Sequence, residues 1–242
     1  MTLPGRIDVV VPAHDEEDGV AGCVLALADA IRVLGRVHPG VGVAVTVVLD
    51  GCSDTTAAVL RSTVAADPLW QVVPLDVVET AHVGVGRARA VGTGRALASG
   101  PPPAERWTAH TDADSRVDPG WLVQQVDAHD DGAHVLVGAV VPDPVDLDPV
   151  VLARWVHAHP PGSTLGHVHG ANLGVRGDVC LTLGGFDPVP EHEDVRLVGR
   201  ARALGFDVRA TTALPVVTSG RFDGRTPGGY AEHLRRTYGD AG

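Results

Sequence analysis

The sequence predicts an α/β fold in which a mainly parallel sheet is covered by helices on both faces. Three observations predict it. Short Val-rich runs alternate with longer stretches of helical spacing through the first half of the chain. Three of those runs close on polar clusters, at His14–Glu17, Asp50–Asp54 and Asp112–Ser115. The apolar fraction is 44% of 242 residues, which suits one large domain with a sizeable core. Ligands of such sheets bind beyond the carboxyl ends of the strands, so the three clusters should gather on one edge.

The elements follow in order. Ile7 to Val11 is a β-rich run ended by Pro12. Val20, Cys23, Val24, Leu27, Ile31 and Leu34 form one apolar stripe at helical spacing. Glu16, Glu17 and Asp18 precede it, where negative charge suits the helix dipole. Val43 to Leu49 reads as a buried strand, and Ser53 as the cap of a helix carrying Ala57, Val59, Leu60 and Val64. Val72 to Val78 is a third strand. A helix opens near Gly84 and reaches Ala98, and Trp107 to Thr111 is a fourth strand. Beyond Asp118 the pattern is less regular. Helices are expected over 119–128, 150–157, 178–183 and 194–204, strands over 134–141 and 169–175, and a loop or lid over 218–229. The reading is a single domain over 1–242, with a mixed-sheet second half. A first half (1–117) precedes a second half (118–242), divided where the strand–helix alternation becomes irregular.

Composition excludes several classes. Aromatic residues are 4% of the chain, too few for a stacking surface for single strands, and the net charge of −11 opposes binding to nucleic acid or anionic membrane. All 19 basic residues are Arg, so neither a Schiff-base Lys nor a phosphate-loop Lys exists. Cys23, Cys52 and Cys180 have neither disulfide-framework nor zinc spacing, which fits a reducing compartment. The chain runs straight into its first strand with no signal-peptide pattern, and no apolar stretch is long enough to span a bilayer. A cytoplasmic location is expected. Oligomeric state carries no signal.

Thr111-Asp112-Ala113-Asp114-Ser115 is the most informative stretch. In extended backbone, residues two apart share a side, so Asp112 and Asp114 can face one cation or one sugar together. Hard divalent cations take oxygen ligands and often sit between a carboxylate and substrate phosphates. Asp-x-Asp also occurs in ordinary surface turns. Gly84-Val85-Gly86-Arg87-Ala88-Arg89-Ala90 is not a dinucleotide loop, because Arg89 stands where its third glycine is needed. His167-Val168-His169 places two imidazoles on one strand face, a pattern that also suits ordinary surface residues in a chain with 12 His.

Four motifs resemble those of family 2 glycosyltransferases with the GT-A fold, of the small soluble bacterial type. Val10-Val11-Pro12-Ala13-His14-Asp15-Glu16-Glu17 is similar to their opening strand and loop. Val48-Leu49-Asp50-Gly51-Cys52-Ser53-Asp54 is similar to the second nucleotide-contacting loop, and 111–115 to the metal motif. Gly184-Gly185-Phe186-Asp187 with Glu191-His192-Glu193-Asp194 is similar to the acceptor loop and catalytic acid pair.

The resemblance implies a Rossmann-like mixed sheet flanked by helices, and a role for each matching residue. Pro12, Ala13 and His14 would line the nucleoside pocket. Glu16 and Asp50 would face base and ribose, although Glu16 equally suits a helix start. Arg87 or Arg89 would face the donor diphosphate. Asp112 would contact the donor sugar or ribose, and Asp114 would bind Mn2+ or Mg2+. Asp194 would be the general base, with Glu193 beside it holding an acceptor or the helix start. His169-Gly170-Ala171-Asn172 matches a stretch that shapes the acceptor side, which puts Asn172 there. Arg221, in Thr218-Ser219-Gly220-Arg221 with Arg225, would clamp the leaving phosphate.

Two departures stand out. Asp15 replaces the commoner Asn, and the Gln-x-x-Arg-Trp signature of the membrane synthases is absent. A metal-ligating His of some related enzymes also has no counterpart near 218–221. The implied activity is metal-dependent transfer of a sugar from a nucleotide-sugar, with a UDP-sugar expected, to a hydroxyl of an unidentified acceptor, with inversion. A sugar-nucleotide nucleotidyltransferase is the first alternative. It needs a basic Gly-rich loop where this chain has His14-Asp15-Glu16-Glu17. A non-catalytic nucleotide-binding protein is the second.

Overall fold

The computed structural model describes residues 3–224 and 229–239. Four parallel strands form its first half: β1 (Arg6–Ala13), β2 (Gly42–Asp50), β3 (Leu75–Thr80) and β4 (Arg106–His110), in the order β3-β2-β1-β4. The sheet continues through β7 (Leu173–Arg176), β6 (Val135–Pro142), β8 (Val208–Thr218) and the two-residue β5 (Ser115–Arg116). β7 runs antiparallel to both β4 and β6, so one strand of opposite sense joins the two halves. β8 is parallel to β6, and β5 antiparallel to β8. Registers of Ala13 with Leu49 and Val10 with His110 bring the ends of β1, β2 and β4 level. The polar clusters after these strands therefore share one edge, as the alternation predicts.

The central strands read as continuous Val runs because both their faces are covered. Ile7, Val9 and Val11 point to one face, against Val20, Val24, Leu27 and Leu34 of α1 (Val20–Val37). α2 (Thr56–Ala66) and α4 (Trp121–Asp130) complete that layer with Leu60, Trp121, Leu122 and Val126. Full burial of one Leu of this stripe contributes about 1.5–3 kcal/mol. The opposite face carries α3 (Val85–Leu97), α6 (Gly177–Thr182) and α7 (Glu193–Ala203), packed on Val135, Val137, Leu173 and Val175. A third cluster joins α5 (Pro149–Ala158) to α8 (Tyr230–Tyr238) through Val151, Trp155, Leu234 and Tyr238. Among the described residues no helix is long and apolar enough to cross a membrane.

Four expectations are corrected. β3 begins at Leu75, because Pro68–Gln71 form a 3-10 turn ahead of it. Ser53 does not cap α2. Its backbone N–H donates to Asp15 Oδ1 at 2.6 Å, and Asp54 Oδ1 accepts from Thr56 N at 2.9 Å instead. The eleven-residue β8 is absent from the sequence reading, since Arg209, Thr211, Thr212 and Pro215 break any apolar run. The segment expected as one loop begins with Thr218, the last residue of β8, and ends just ahead of α8.

The start of β4 is fixed to β1 by a buried ion pair. Arg106 Nε donates to Asp8 Oδ2 at 2.8 Å, and both side chains are 1% exposed. Arg106 also donates to Ser99 O at 3.0 Å and Ala96 O at 2.5 Å at the end of α3. Replacing Asp8 by Ala strands a buried guanidinium, and breaking such a pair costs about 3–5 kcal/mol. Chemical denaturation of Asp8→Ala is expected to show that loss as a lowered midpoint with an unchanged slope.

Candidate active site

The loops after β1 and β2 are stapled together before they can bind anything. His14 Nδ1 lies 2.6 Å from Asp50 O, Glu16 N donates to Thr56 Oγ1 at 2.7 Å, and Thr55 N donates to Glu17 Oε2 at 3.0 Å. Asp15 holds a positive φ of 51° while accepting from Ser53 N and Asp54 N. Asp15, Cys52 and Asp54 offer ligand atoms within 4.8 Å of one another, the group of that kind found among the described residues. Asp15 and Asp54 are already engaged by backbone N–H groups of the two loops, which accounts for their proximity without an ion.

At the end of β4 five carboxylates, Glu16, Asp112, Asp114, Glu193 and Asp194, meet the guanidiniums of Arg89 and Arg221. Arg89 of α3 is 1% exposed. It pairs with Asp112, donates from Nε to Glu193 Oε1 at 2.9 Å, and from Nη1 to Gly170 O at 2.9 Å. One side chain thus links the Asp-x-Asp loop, the first turn of α7 and the turn before β7. A side chain at Gly170 has no room, since its Cβ would lie 2.5 Å from the Arg89 guanidinium. The same Gly170 donates its N–H to Asp194 Oδ2 at 2.6 Å, while Asp194 Oδ1 accepts from Val195 N at 2.7 Å. Each Asp194 oxygen keeps acceptor capacity, and the residue is half-buried.

Arg221 serves the other aspartate. Its Nη1 and Nη2 bind Glu16 Oε2 and Oε1 at 2.8 and 2.6 Å, and Nη2 lies 3.2 Å from Asp114 Oδ2. Asp114 Oδ1 accepts from the hydroxyls of Ser115 and Thr218, both at 3.2 Å. Burial pushes the Asp114 carboxyl up to about 6, helped by the charges of Asp112 and Glu16 and opposed by Arg221. Burial also raises Asp112, with Arg89 opposing and Asp194 and Glu16 adding to the rise. The pocket therefore carries more negative charge than its two guanidiniums relieve, and its donors are oxygens. That chemistry fits a hard divalent cation at Asp114.

Other expected site residues sit differently. Asp50 is 2% exposed, and its carboxylate accepts from Thr80 Oγ1 at 2.9 Å, Val83 N at 2.7 Å and Gly84 N at 2.9 Å. A carboxylate closing a Val-rich strand does have a structural use: it occupies the N-terminal approach to α3, where negative charge is favourable. The glycines there serve packing, since a Cβ on Gly86 would lie 2.5 Å from the carbonyls of Asp187 and Val189. Arg87 is exposed and Arg89 is enclosed by its carboxylates. Pro12 and Ala13 are buried at the end of β1, and His14 lies half-exposed against the His82 ring, with centroids 4.2 Å apart.

Asn172, expected on the acceptor side, is engaged inside the protein. It is fully buried, donates to Ala139 O at 2.9 Å and accepts from Trp121 Nε1 at 2.8 Å, which joins β6 to α4. Glu193 is 5% exposed against Arg89 and so holds the helix start. Thr218 appears in the sequence only as the start of the segment carrying Arg221, and its hydroxyl contact with Asp114 has no local signal. Arg225 lies outside the described residues.

The model of the family described as glycosyl transferase family 2 matches residues 8–180. Asp112 and Asp114 fall within that span; Glu193, Asp194 and Arg221 lie beyond it. No curated protein matches. Solved structures share the fold at low identity. A mannosyltransferase from Pyrobaculum calidifontis, in complex with GDP-Man and Mn2+, is 18% identical with a TM-score of 0.63, over 98% of this chain and 70% of that one. Glucosyl-3-phosphoglycerate synthase from Mycobacterium tuberculosis, in complex with Mn2+, UDP and glucosyl-3-phosphoglycerate, is 18% identical with a TM-score of 0.58, over 98% and 81%. S. aureus TarS is 14% identical with a TM-score of 0.60; 89% of this chain is covered, but only 60% of that chain.

Gly170→Ala drives a methyl group into the Arg89 guanidinium without changing any charge. Overpacking of this kind costs about 1–3 kcal/mol. Gly199→Ala on α7 meets nothing within 4 Å and is expected to gain about 0.5–1 kcal/mol of helix stability. Paired denaturant titrations are expected to move the two midpoints in opposite directions.

Proposed function

This chain belongs to glycosyl transferase family 2, and we propose that it transfers one sugar from a UDP-sugar to a hydroxyl of an acceptor, with a divalent metal at Asp114 and Asp194 as general base. The observation that carries the reading is the convergence of Glu16, Asp112, Asp114 and Asp194 around Arg89 and Arg221 at the carboxyl edge of the sheet. The metal and diphosphate-linked ligands named for the mannosyltransferase and the phosphoglycerate synthase support the same chemistry by analogy of fold.

Asp114 would hold Mn2+ or Mg2+, with Glu16 the second carboxylate in reach of the same guanidinium. The ion's contribution is to neutralise charge on the departing nucleoside diphosphate. Asp112 lies a third exposed beside the buried Arg89, whose charge opposes the rise that burial imposes on its carboxyl, and it would face the donor. Asp194, oriented by the N–H groups of Gly170 and Val195, takes the proton of the acceptor hydroxyl as attack develops. Attack on the donor from the side opposite the leaving group inverts the anomeric centre.

The reading is tested with a panel of UDP- and GDP-sugars and Mn2+ or Mg2+, following release of nucleoside diphosphate. Hydrolysis or transfer from at least one donor, dependent on the metal, is expected; no turnover and no nucleotide binding across the panel would overturn it. Asp194→Asn is expected to lower transfer by about 10²–10⁴-fold while leaving binding of UDP with Mn2+ intact.

The metal assignment has a pH signature. Burial pushes the Asp114 carboxyl up to about 6, and it must lose its proton to act as a ligand. Mn2+ affinity measured with UDP present is therefore expected to be level above that value. It should fall as pH drops through it, approaching about tenfold per pH unit. Asp114→Asn should lose both the affinity and the pH dependence. Wild-type binding that ignores pH over this range would sink the assignment.

A further inference from the structure

Arg221 stands where a cation is wanted. Its fork spans both oxygens of Glu16 at 2.6 and 2.8 Å, and the same Nη2 reaches Asp114 Oδ2 at 3.2 Å. A guanidinium has five N–H donors and no lone pair, so it cannot ligate a metal. Its N–H groups bond both Glu16 oxygens, and its charge sits 3.2 Å from Asp114 Oδ2, an oxygen that Mg2+ would need at about 2.0–2.1 Å. Guanidinium and ion therefore exclude each other by contact and by charge.

The backbone beneath Arg221 is fixed. Gly220 N donates to Asp146 Oδ2 at 2.8 Å, Ser219 Oγ donates to the same oxygen at 3.0 Å, and Arg221 N donates back to Ser219 Oγ at 3.3 Å. A Cβ on Gly220 would lie 3.0 Å from Asp143 O, so the turn packs closely on the loop after β6. Exchange of partners falls to the side chain, which is 29% exposed and can swing without moving its loop.

We infer that Arg221 is a resident counter-cation that keeps the divalent ion out of the Asp114 site until a donor diphosphate draws the guanidinium away. A diphosphate offers the bidentate oxygen geometry that an arginine fork matches best. When it arrives, two N–H···carboxylate hydrogen bonds at Glu16 and the ion pair with Asp114 are exchanged for contacts to phosphate. Asp114, relieved of the guanidinium, takes the ion that accompanies the phosphates. Metal and donor then bind as a linked pair, each tightening the other by the same factor. This rests on the reading of Asp114 as the metal carboxylate.

The test is calorimetric titration of Mn2+ alone, UDP alone and Mn2+ with UDP, on the full chain and its variants. Wild-type protein is expected to bind Mn2+ alone weakly and Mn2+ with UDP at least tenfold more tightly. Arg221→Ala is expected to bind Mn2+ alone about ten- to a hundredfold more tightly than wild type, the size of one charge-assisted contact removed from competition. Its linkage between Mn2+ and UDP should shrink by a similar factor. Arg221→Lys keeps the charge without the fork and should fall between. Unchanged or weaker binding of Mn2+ alone by folded Arg221→Ala overturns the inference. Should Arg221→Ala not fold, side-chain NMR of wild-type Arg221, assigned by its loss in Arg221→Lys, decides instead. The Nε resonance should move with Mg2+ and UDP together but not with Mg2+ alone; movement in neither case or equally in both overturns the inference. If Asp114→Asn binds Mn2+ with UDP as wild type does, the metal reading itself has failed, separately from the role of Arg221.

Discussion

Like charges brought together in a half-buried pocket repel, and the whole rim is organised around that repulsion. Burial raises the Asp112 and Asp114 carboxyls, and the charges of their acidic neighbours add to the rise. Without positive charge between them, the chain beyond β4 could not hold this shape at neutral pH. Arg89 and Arg221 provide that charge from opposite sides. Arg89 is nearly sealed and permanent; Arg221 is partly open to solvent. That difference in burial is what the proposed exchange of Arg221 builds on.

Arg89 also connects the two ends of the chemistry. Its contacts fall on Asp112, on Glu193 and on Gly170, and Gly170 in turn holds Asp194. Asp112 and the proposed base are thus positioned by one side chain rooted in α3. The same helix approaches 187–189 so closely that Gly86 has no room for a side chain. The antiparallel β7 contributes at the level of backbone, because it links β4 to β6 and delivers the turn at Gly170 to the same edge.

Much of this was readable in advance for a plain reason. Buried parallel strands must be continuous apolar runs, and helices packed on them must carry stripes. β1, β2, β4 and α1 follow those rules, so their ends, and the acidic clusters attached to them, could be placed. A partner that lies far along the chain is not legible in advance. The family resemblance puts Asp50 and Asn172 at the ligand, and nothing local in the sequence shows their partners inside the protein. Their partners, Gly84 and Val83 for one and Trp121 and Ala139 for the other, satisfy them inside the protein.

The amino-acid sequence by itself determined the layered architecture, the edge where the site lies and the acidic residues gathered there, because periodicity and strand punctuation are local properties. Only the tertiary structure decided which charges are spent on holding the fold and which face outward. That choice depends on contacts such as Arg89 with Glu193 and Arg221 with Glu16, 104 and 205 residues apart, whose geometry no local pattern encodes.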